Sequence, residues 1–310
     1  MIWQVAVAVA GAWCIAIGAA AQERPATTAP GGEVARAASL LRLLRDPRWL
    51  AGGALTIVGV AAHLVALSAA PVTLVQPLGV SGLLVAVWLA ARWRGRYLSG
   101  VELLGIVAVT LGLAGLVGTL PHGATTPTHL PAAFLAGLAC FAVAAAIVIP
   151  RLAARLSPRT RALLLAATAG ACFGFGSALA RVVAATVSAD VSVLWGPTTL
   201  IALALFALGG LQLQNAYRTG HFGLAYATLL IADPLIAAAI GLAVLGESLP
   251  TTVTAQVIAL ASAVVTVIGV IVLAGPAKPP TTEGNTTGST ADNHEENNTD
   301  VYIDAVPPRS

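Results

Sequence analysis

Asp233 is the residue whose type and position most demand a chemical explanation. It stands midway through the apolar stretch 222–245 and is followed at once by Pro234. A charged side chain at the centre of a bilayer costs roughly 3 kcal/mol on insertion scales. It persists there when paired, protonated or in contact with water. Pro234 removes a backbone donor and crowds the preceding turn, which frees nearby carbonyls. A carboxylate beside freed carbonyls can hold a cation or a proton. The plainer reading is a neutral Asp hydrogen-bonded inside a helix bundle. A second proline occupies a matching place, because Gln76-Pro77-Leu78 lies near the middle of 72–91 as Asp233-Pro234-Leu235 does in 222–245. Uncharged polar groups gather nearby in sequence. Gln214 and Asn215 close one apolar run, Tyr226 opens the next, and Thr73 and His63 lie in the first half. Such groups either replace a solute's hydration shell or tie helices together. His63 suits a proton relay, and equally a bond to a neighbouring carbonyl. Arg181 either pairs with Asp233, holds an anionic substrate group, or snorkels to the interface.

These residues need a scaffold, and the composition names its class. Of 310 residues, 57% are hydrophobic and 9% charged, and the mean hydropathy is +0.87. Soluble domains carry about 25% charged residues, so this chain has too little charge to cover a water-facing surface. Nine apolar runs are long enough to cross a bilayer: 2–21, 49–69, 72–91, 101–119, 131–149, 162–186, 194–214, 222–245 and 251–274. The predicted fold is therefore an all-α integral membrane protein of about nine transmembrane helices. Between the first two runs, residues 22–48 combine leucines with Arg36, Arg42 and Arg45, a pattern that predicts a short interfacial helix.

The arginines set the topology. Those at 24–48, 92–96, 151–161 and 218, with Lys278, fall on one side of a nine-span path, and the opposite loops lack Lys and Arg. The positive-inside rule then places the N-terminus outside and the C-terminal tail in the cytoplasm. Few lysines and much Ala, Val and Arg point to a bacterial inner membrane. The first run ends in Ala19-Ala20-Ala21 like a signal peptide, but it lacks a basic leader and reads better as a retained helix.

The two proline-bearing helices run in opposite directions on this path, so the halves form an inverted repeat. Inverted repeats with interrupted helices at mid-membrane are a transporter signature, since two halves can rock about a central site. The expected organisation is a first repeat (1–130), a linking helix and loop (131–161), a second repeat (162–275) and a disordered tail (276–310).

The run Ala70-Pro71-Val72-Thr73-Leu74-Val75-Gln76-Pro77-Leu78-Gly79 is close to the pattern A-P-x-x-L-V-x-P-L-G. Leu213-Gln214-Asn215-Ala216 followed by Pro234, and Gly176-Ser177 followed by Arg181, add looser matches. On these residues the chain resembles the drug/metabolite transporter (DMT, EamA-like) superfamily and, within it, the NIPA-type magnesium transporters. The resemblance implies a bundle of two inverted halves with a solute site between them. Where the NIPA pattern has Thr before both prolines, this chain has Gln76 and Asp233, which makes Asp233 a candidate coupling site of its own.

The leading expectation is a secondary transporter of a small solute or cation, with Mg²⁺ or H⁺ as the candidate ions. Its site would lie near Pro77 and Pro234, with Gln76 across the pseudo-symmetry axis from Asp233. The alternatives are a magnesium permease of the NIPA kind and a non-transport accessory subunit of an envelope assembly. No enzyme motif such as HExxH, GxxxxGK[ST] or GxSxG occurs, no cofactor is implied, and no basic surface suits nucleic acid. Gly- and Ala-rich faces permit a homodimer.

Overall fold

The computed structural model describes residues 2–69, 81–95, 97–119, 130–187, 189–244 and 252–274. The regular secondary structure of the described residues is all helical, with no strand. The helices are α1 (Ile2–Thr28), α2 (Ala37–Leu40), α3 (Pro47–Ala69), α4 (Gly82–Trp93), α5 (Gly100–Thr119), α6 (Ala132–Ala153), α7 (Pro158–Thr186), α8 (Pro197–Arg218), α9 (Phe222–Ala243) and α10 (Val253–Ala274). Five of them, among the described residues, are long and apolar enough to cross a membrane, and α4, α5 and α9 contribute shorter apolar stretches. Each of the nine expected spans coincides with a helix in its described part. The short helix expected within 22–48 is α2, which continues as a 3₁₀ turn over Leu41–Arg45.

Helix ends follow local chemistry. Asp46 caps α3 by accepting from the amides of Arg48 (2.8 Å) and Trp49 (3.0 Å), with Pro47 at the first helical position, where no amide is needed. Ser99 and Glu102 form a reciprocal capping box at the start of α5 (2.9 and 3.1 Å). Glu102 is thus a helix cap. The largest boundary difference is at α1. The apolar run ends at Ala21, but the helix continues through Pro25 to Thr28. Pro25 removes only one amide in the last turns, and the Thr27 hydroxyl bonds the Arg24 carbonyl at 2.8 Å. Hydropathy marks where the bilayer ends, not where the helix does.

Packing explains the abundance of small residues. α1 lies along α3 and also touches α4; α7 lies between α8 and α9; α5 pairs with α10; and α6 rests on α7 and α8. α1 buries Ala8, Ala12, Ala16, Ala19 and Ala20. At Gly59 of α3, an added Cβ would sit 2.6 Å from the Gly11 carbonyl oxygen of α1. Only glycine allows that approach, and close backbone contact is what holds helices together where no hydrophobic effect acts between them. The outward faces are apolar. Leu104 and Leu111 of α5 and Leu260 and Ile271 of α10 are each more than 60% exposed. In water that face would be untenable, whereas in lipid it is ordinary.

Met1–Pro276 form one compact unit. The tail expected to be disordered lies outside the described residues.

Candidate functional site

Asp233 sits on α9 where α9 crosses α7. Gly170 and Gly174 of α7 form the seat: a Cβ on Gly170 would lie 3.0 Å from the Asp233 amide nitrogen, and one on Gly174 would lie 2.8 Å from the Asp233 carbonyl oxygen. This GxxxG contact fixes the backbone of Asp233. Among the described residues its carboxylate has no hydrogen-bonding or charged partner, and it is partly buried. Tyr226 is two turns earlier on the same face of α9. It is buried and stacks on Phe222 at a centroid distance of 5.6 Å with the planes 9° apart.

Position 234 does not interrupt the helix. α9 is continuous from Phe222 to Ala243, so the expected break at Pro234 is absent. Loss of one amide is tolerated where neighbouring helices hold the chain, and here α7 presses directly on that turn. Arg181 lies on α7, is exposed, and forms no ion pair with Asp233. His63 falls within α3. Thr73, Gln76 and Pro77, with the whole Ala70–Gly79 motif, lie outside the described residues.

Gln214 and Asn215 do not join Asp233. They are buried near the C-terminal end of α8, Asn215 occupied by the segment after α1 and Gln214 by side chains of α1 and α3. Asn215 accepts from the Ala35 amide (2.7 Å) and donates to the Ala35 carbonyl (3.1 Å). Gln214 donates to Gln22 (3.0 Å) and accepts from the Trp49 indole (3.1 Å). Arg218 donates to the carbonyls of Ala29, Pro30, Gly31 and Gly32. Arg161 reaches the Ala153 and Leu156 carbonyls and pairs with Glu33. Arg94 pairs with the buried Glu23 and donates to the Gly220 carbonyl (3.1 Å). Gln22, the 29–35 segment, Trp49 and Arg94 are thus all joined to residues 161–220. These contacts form a polar latch between residues 22–94 and residues 161–220.

The sequence reading passed over Glu23 and Glu33. Glu23 carried a signal, being an acid two residues beyond an apolar run and 1% exposed once folded. Glu33 carried none, since its role depends on where Arg161 arrives.

The latch yields one direct expectation. Asn215→Ala leaves both backbone groups of Ala35 without partners. A net loss of about 1 kcal/mol per bond is expected to speed amide hydrogen exchange in residues 29–36 by roughly 30-fold. Unchanged protection would mean that Arg218 and Arg161 alone hold the segment.

His221, in the turn between α8 and α9, gives a second. Burial lowers its affinity for a proton; the Thr219 carbonyl, 3.0 Å from Nδ1, opposes this, and the guanidiniums of Arg159 and Arg94 reinforce it. A histidine whose folded pKa lies below its unfolded value binds fewer protons folded than unfolded. Its contribution therefore weakens as pH falls from the unfolded value of about 6.5. An NMR titration of the His221 ring is expected to show a midpoint below 6.5, and His221→Gln is expected to flatten stability between pH 7 and 5.

Comparison with known proteins bears on all of this. A Corynebacterium glutamicum protein described as uncharacterized is 28% identical over 247 residues, which is 77% of this chain and 83% of that protein. No solved structure matches significantly. The family described as "Magnesium transporter NIPA" matches residues 1–159, from α1 to the first turn of α7. With half the chain matched and apolar helices throughout, the chain belongs to the NIPA magnesium transporter family, a family of multi-pass membrane transporters rather than an enzyme class.

Proposed function

We propose that this protein is a secondary transporter of a small cation, with Mg²⁺ as the first candidate, and that the Asp233 carboxylate is the group that binds the charge. The observation that carries this reading is an acid set within an apolar helix, seated on two glycines and without a charged partner among the described residues. Such a group has no evident packing reason to be an acid. A single carboxylate suits a magnesium ion that keeps most of its waters, because Mg²⁺ dehydrates reluctantly. Among the described residues no three acids, histidines or cysteines converge, so a fully stripped ion would need donors from elsewhere.

The packing supports a two-half mechanism. α1, α3, α4 and α5 correspond in order to α7, α8, α9 and α10. α1 touches both α3 and α4, as α7 touches both α8 and α9, and the corresponding helices α5 and α10 pair with each other. In an inverted repeat, elements on the pseudo-twofold axis meet their own counterparts. With the basic loops in the cytoplasm, the latch is the closed cytoplasmic gate, and Asp233 exchanges with the other side in this state. Alternating access then requires the latch to release.

The test is Mg²⁺ entry into proteoliposomes, read by a trapped dye. Saturable entry above protein-free liposomes is the expected result. No entry by well-folded protein would remove Mg²⁺ as the solute and turn the search to other small solutes.

A further inference from the structure

Two cavities lie end to end on the basic side and share Trp93. The first, about 510 Å³, is walled by Ile17, Ala21, Ala51 and Leu55, with Arg48 at its mouth. The Arg48 guanidinium lies over the Trp93 ring, 4.5 Å from its centroid. The second, about 480 Å³, is lined by Arg24, Thr28, Arg94, Arg218 and Gly220. Along α1 the lining residues are 17, 21, 24, 27 and 28, of which all but Thr27 fall on one helical face. The groove thus runs for about 16 Å at 1.5 Å per residue, from apolar to basic, along a single stripe.

The basic end carries surplus charge. Arg94 is offset by Glu23, which is buried beside it. Arg218 bonds only neutral carbonyls through its terminal nitrogens, and its Nε is buried without a hydrogen-bond partner. Arg24 has no ion-pair or hydrogen-bond partner for its guanidinium among the described residues and is exposed. Three guanidiniums against one carboxylate leave a net charge of +2. The Thr27 and Thr219 hydroxyls donate to helix carbonyls (2.8 and 2.7 Å), and the terminal nitrogens of Arg218 and Arg94 already bond protein oxygens, so Arg24 offers the donors for a ligand while Arg94 and Arg218 contribute charge.

We infer that this groove binds an anionic phospholipid, its phosphate among Arg24, Arg94 and Arg218 and one acyl chain along Ile17, Ala21 and Leu55. Charge alone would suit a free phosphate equally well. The apolar half decides for a lipid, since it continues the basic pocket on the same face of α1. Cytoplasmic basic clusters attract anionic headgroups with about 1 kcal/mol per arginine. The bound lipid lies against the latch and offsets the charge that Arg94 and Arg218 bring to it.

The experiment is titration of the purified full chain with phosphatidylglycerol, phosphatidylcholine or inorganic phosphate, read by native mass spectrometry and by the His221 ring resonance. Phosphatidylglycerol is expected to bind more tightly than phosphatidylcholine and to raise the His221 titration midpoint, because the phosphate offsets Arg94. Arg24→Gln, at an exposed residue whose side chain the fold does not use, is expected to weaken phosphatidylglycerol about fivefold. Ala51→Trp, which fills the apolar half from an exposed position, is expected to weaken the lipid and leave inorganic phosphate unaffected. Equal binding of phosphatidylcholine, or no effect of Arg24→Gln, would overturn the proposal. So would inorganic phosphate displacing the lipid in a protein indifferent to Ala51→Trp, which assigns the pocket to a free anion.

Discussion

Asp233→Asn is expected to lower cation flux by on the order of 30-fold or more while leaving the protein folded. Removing one member of a buried charge contact costs 2 kcal/mol or more, and each 1.4 kcal/mol is a factor of ten. The substitution keeps shape and volume, so the seat on Gly170 and Gly174 is untouched. The two roles open to this residue give opposite signs for stability. If the acid is held for a solute, an amide in its place relieves an unpaired charge in lipid, and the thermal midpoint rises or stays level. If the acid serves packing through its own hydrogen bonds, the midpoint falls and flux is unmoved. Asp233→Glu keeps the charge one methylene further from the helix and is expected to retain part of the flux. Unchanged entry in Asp233→Asn would end the assignment of the charge-binding role to this residue.

The membrane character of the chain was open to view in the sequence because it rests on properties that sum along a segment. Twenty apolar residues in a row need no tertiary knowledge, and neither does the alternation of arginine-rich and arginine-free loops. The family was legible for a similar reason, since the Ala70–Gly79 pattern is local. What the sequence hid is the latch. Gln214 and Asn215 are polar residues at the end of an apolar run, and as types they suit solute contact or helix bonding equally. The choice between these depends on where Gln22, Ala35 and Trp49 return, 165 to 192 residues earlier in the chain. Most of the acceptors there are backbone carbonyls, which carry no sequence signal at all. Arg218 looked like an ordinary end-of-helix cation for that reason, and it binds four consecutive carbonyls. Asp233 is the reverse case. Its type announced it, and the structure added the two glycines that fix its backbone.

Those glycines make the second large effect. Gly174→Val is expected to destabilise the protein by roughly 1–3 kcal/mol, the usual range for forcing atoms into a packed contact, and to abolish flux. The new Cβ would stand 2.8 Å from the Asp233 carbonyl oxygen and 2.9 Å from the Ile236 Cβ, so α9 must move away from α7. Helix α9 carries Asp233 on that very turn, and a displacement of about 1 Å is enough to spoil a positioned group. Gly210→Ala in α8 is the matched control, with nothing within 4 Å of the added methyl. It is expected to leave flux unchanged and to shift stability within about 0.5 kcal/mol. A second-site change separates side-chain crowding from backbone crowding. Ile236→Ala removes the Cγ2 contact at 3.0 Å but keeps the Cβ and cannot trim a carbonyl oxygen, so Gly174→Val with Ile236→Ala is expected to recover part of the stability and none of the flux. Recovery of both would mean that α9 is placed by its side chains rather than by backbone seated on glycine, and that Asp233 has more freedom than the α7 contact suggests.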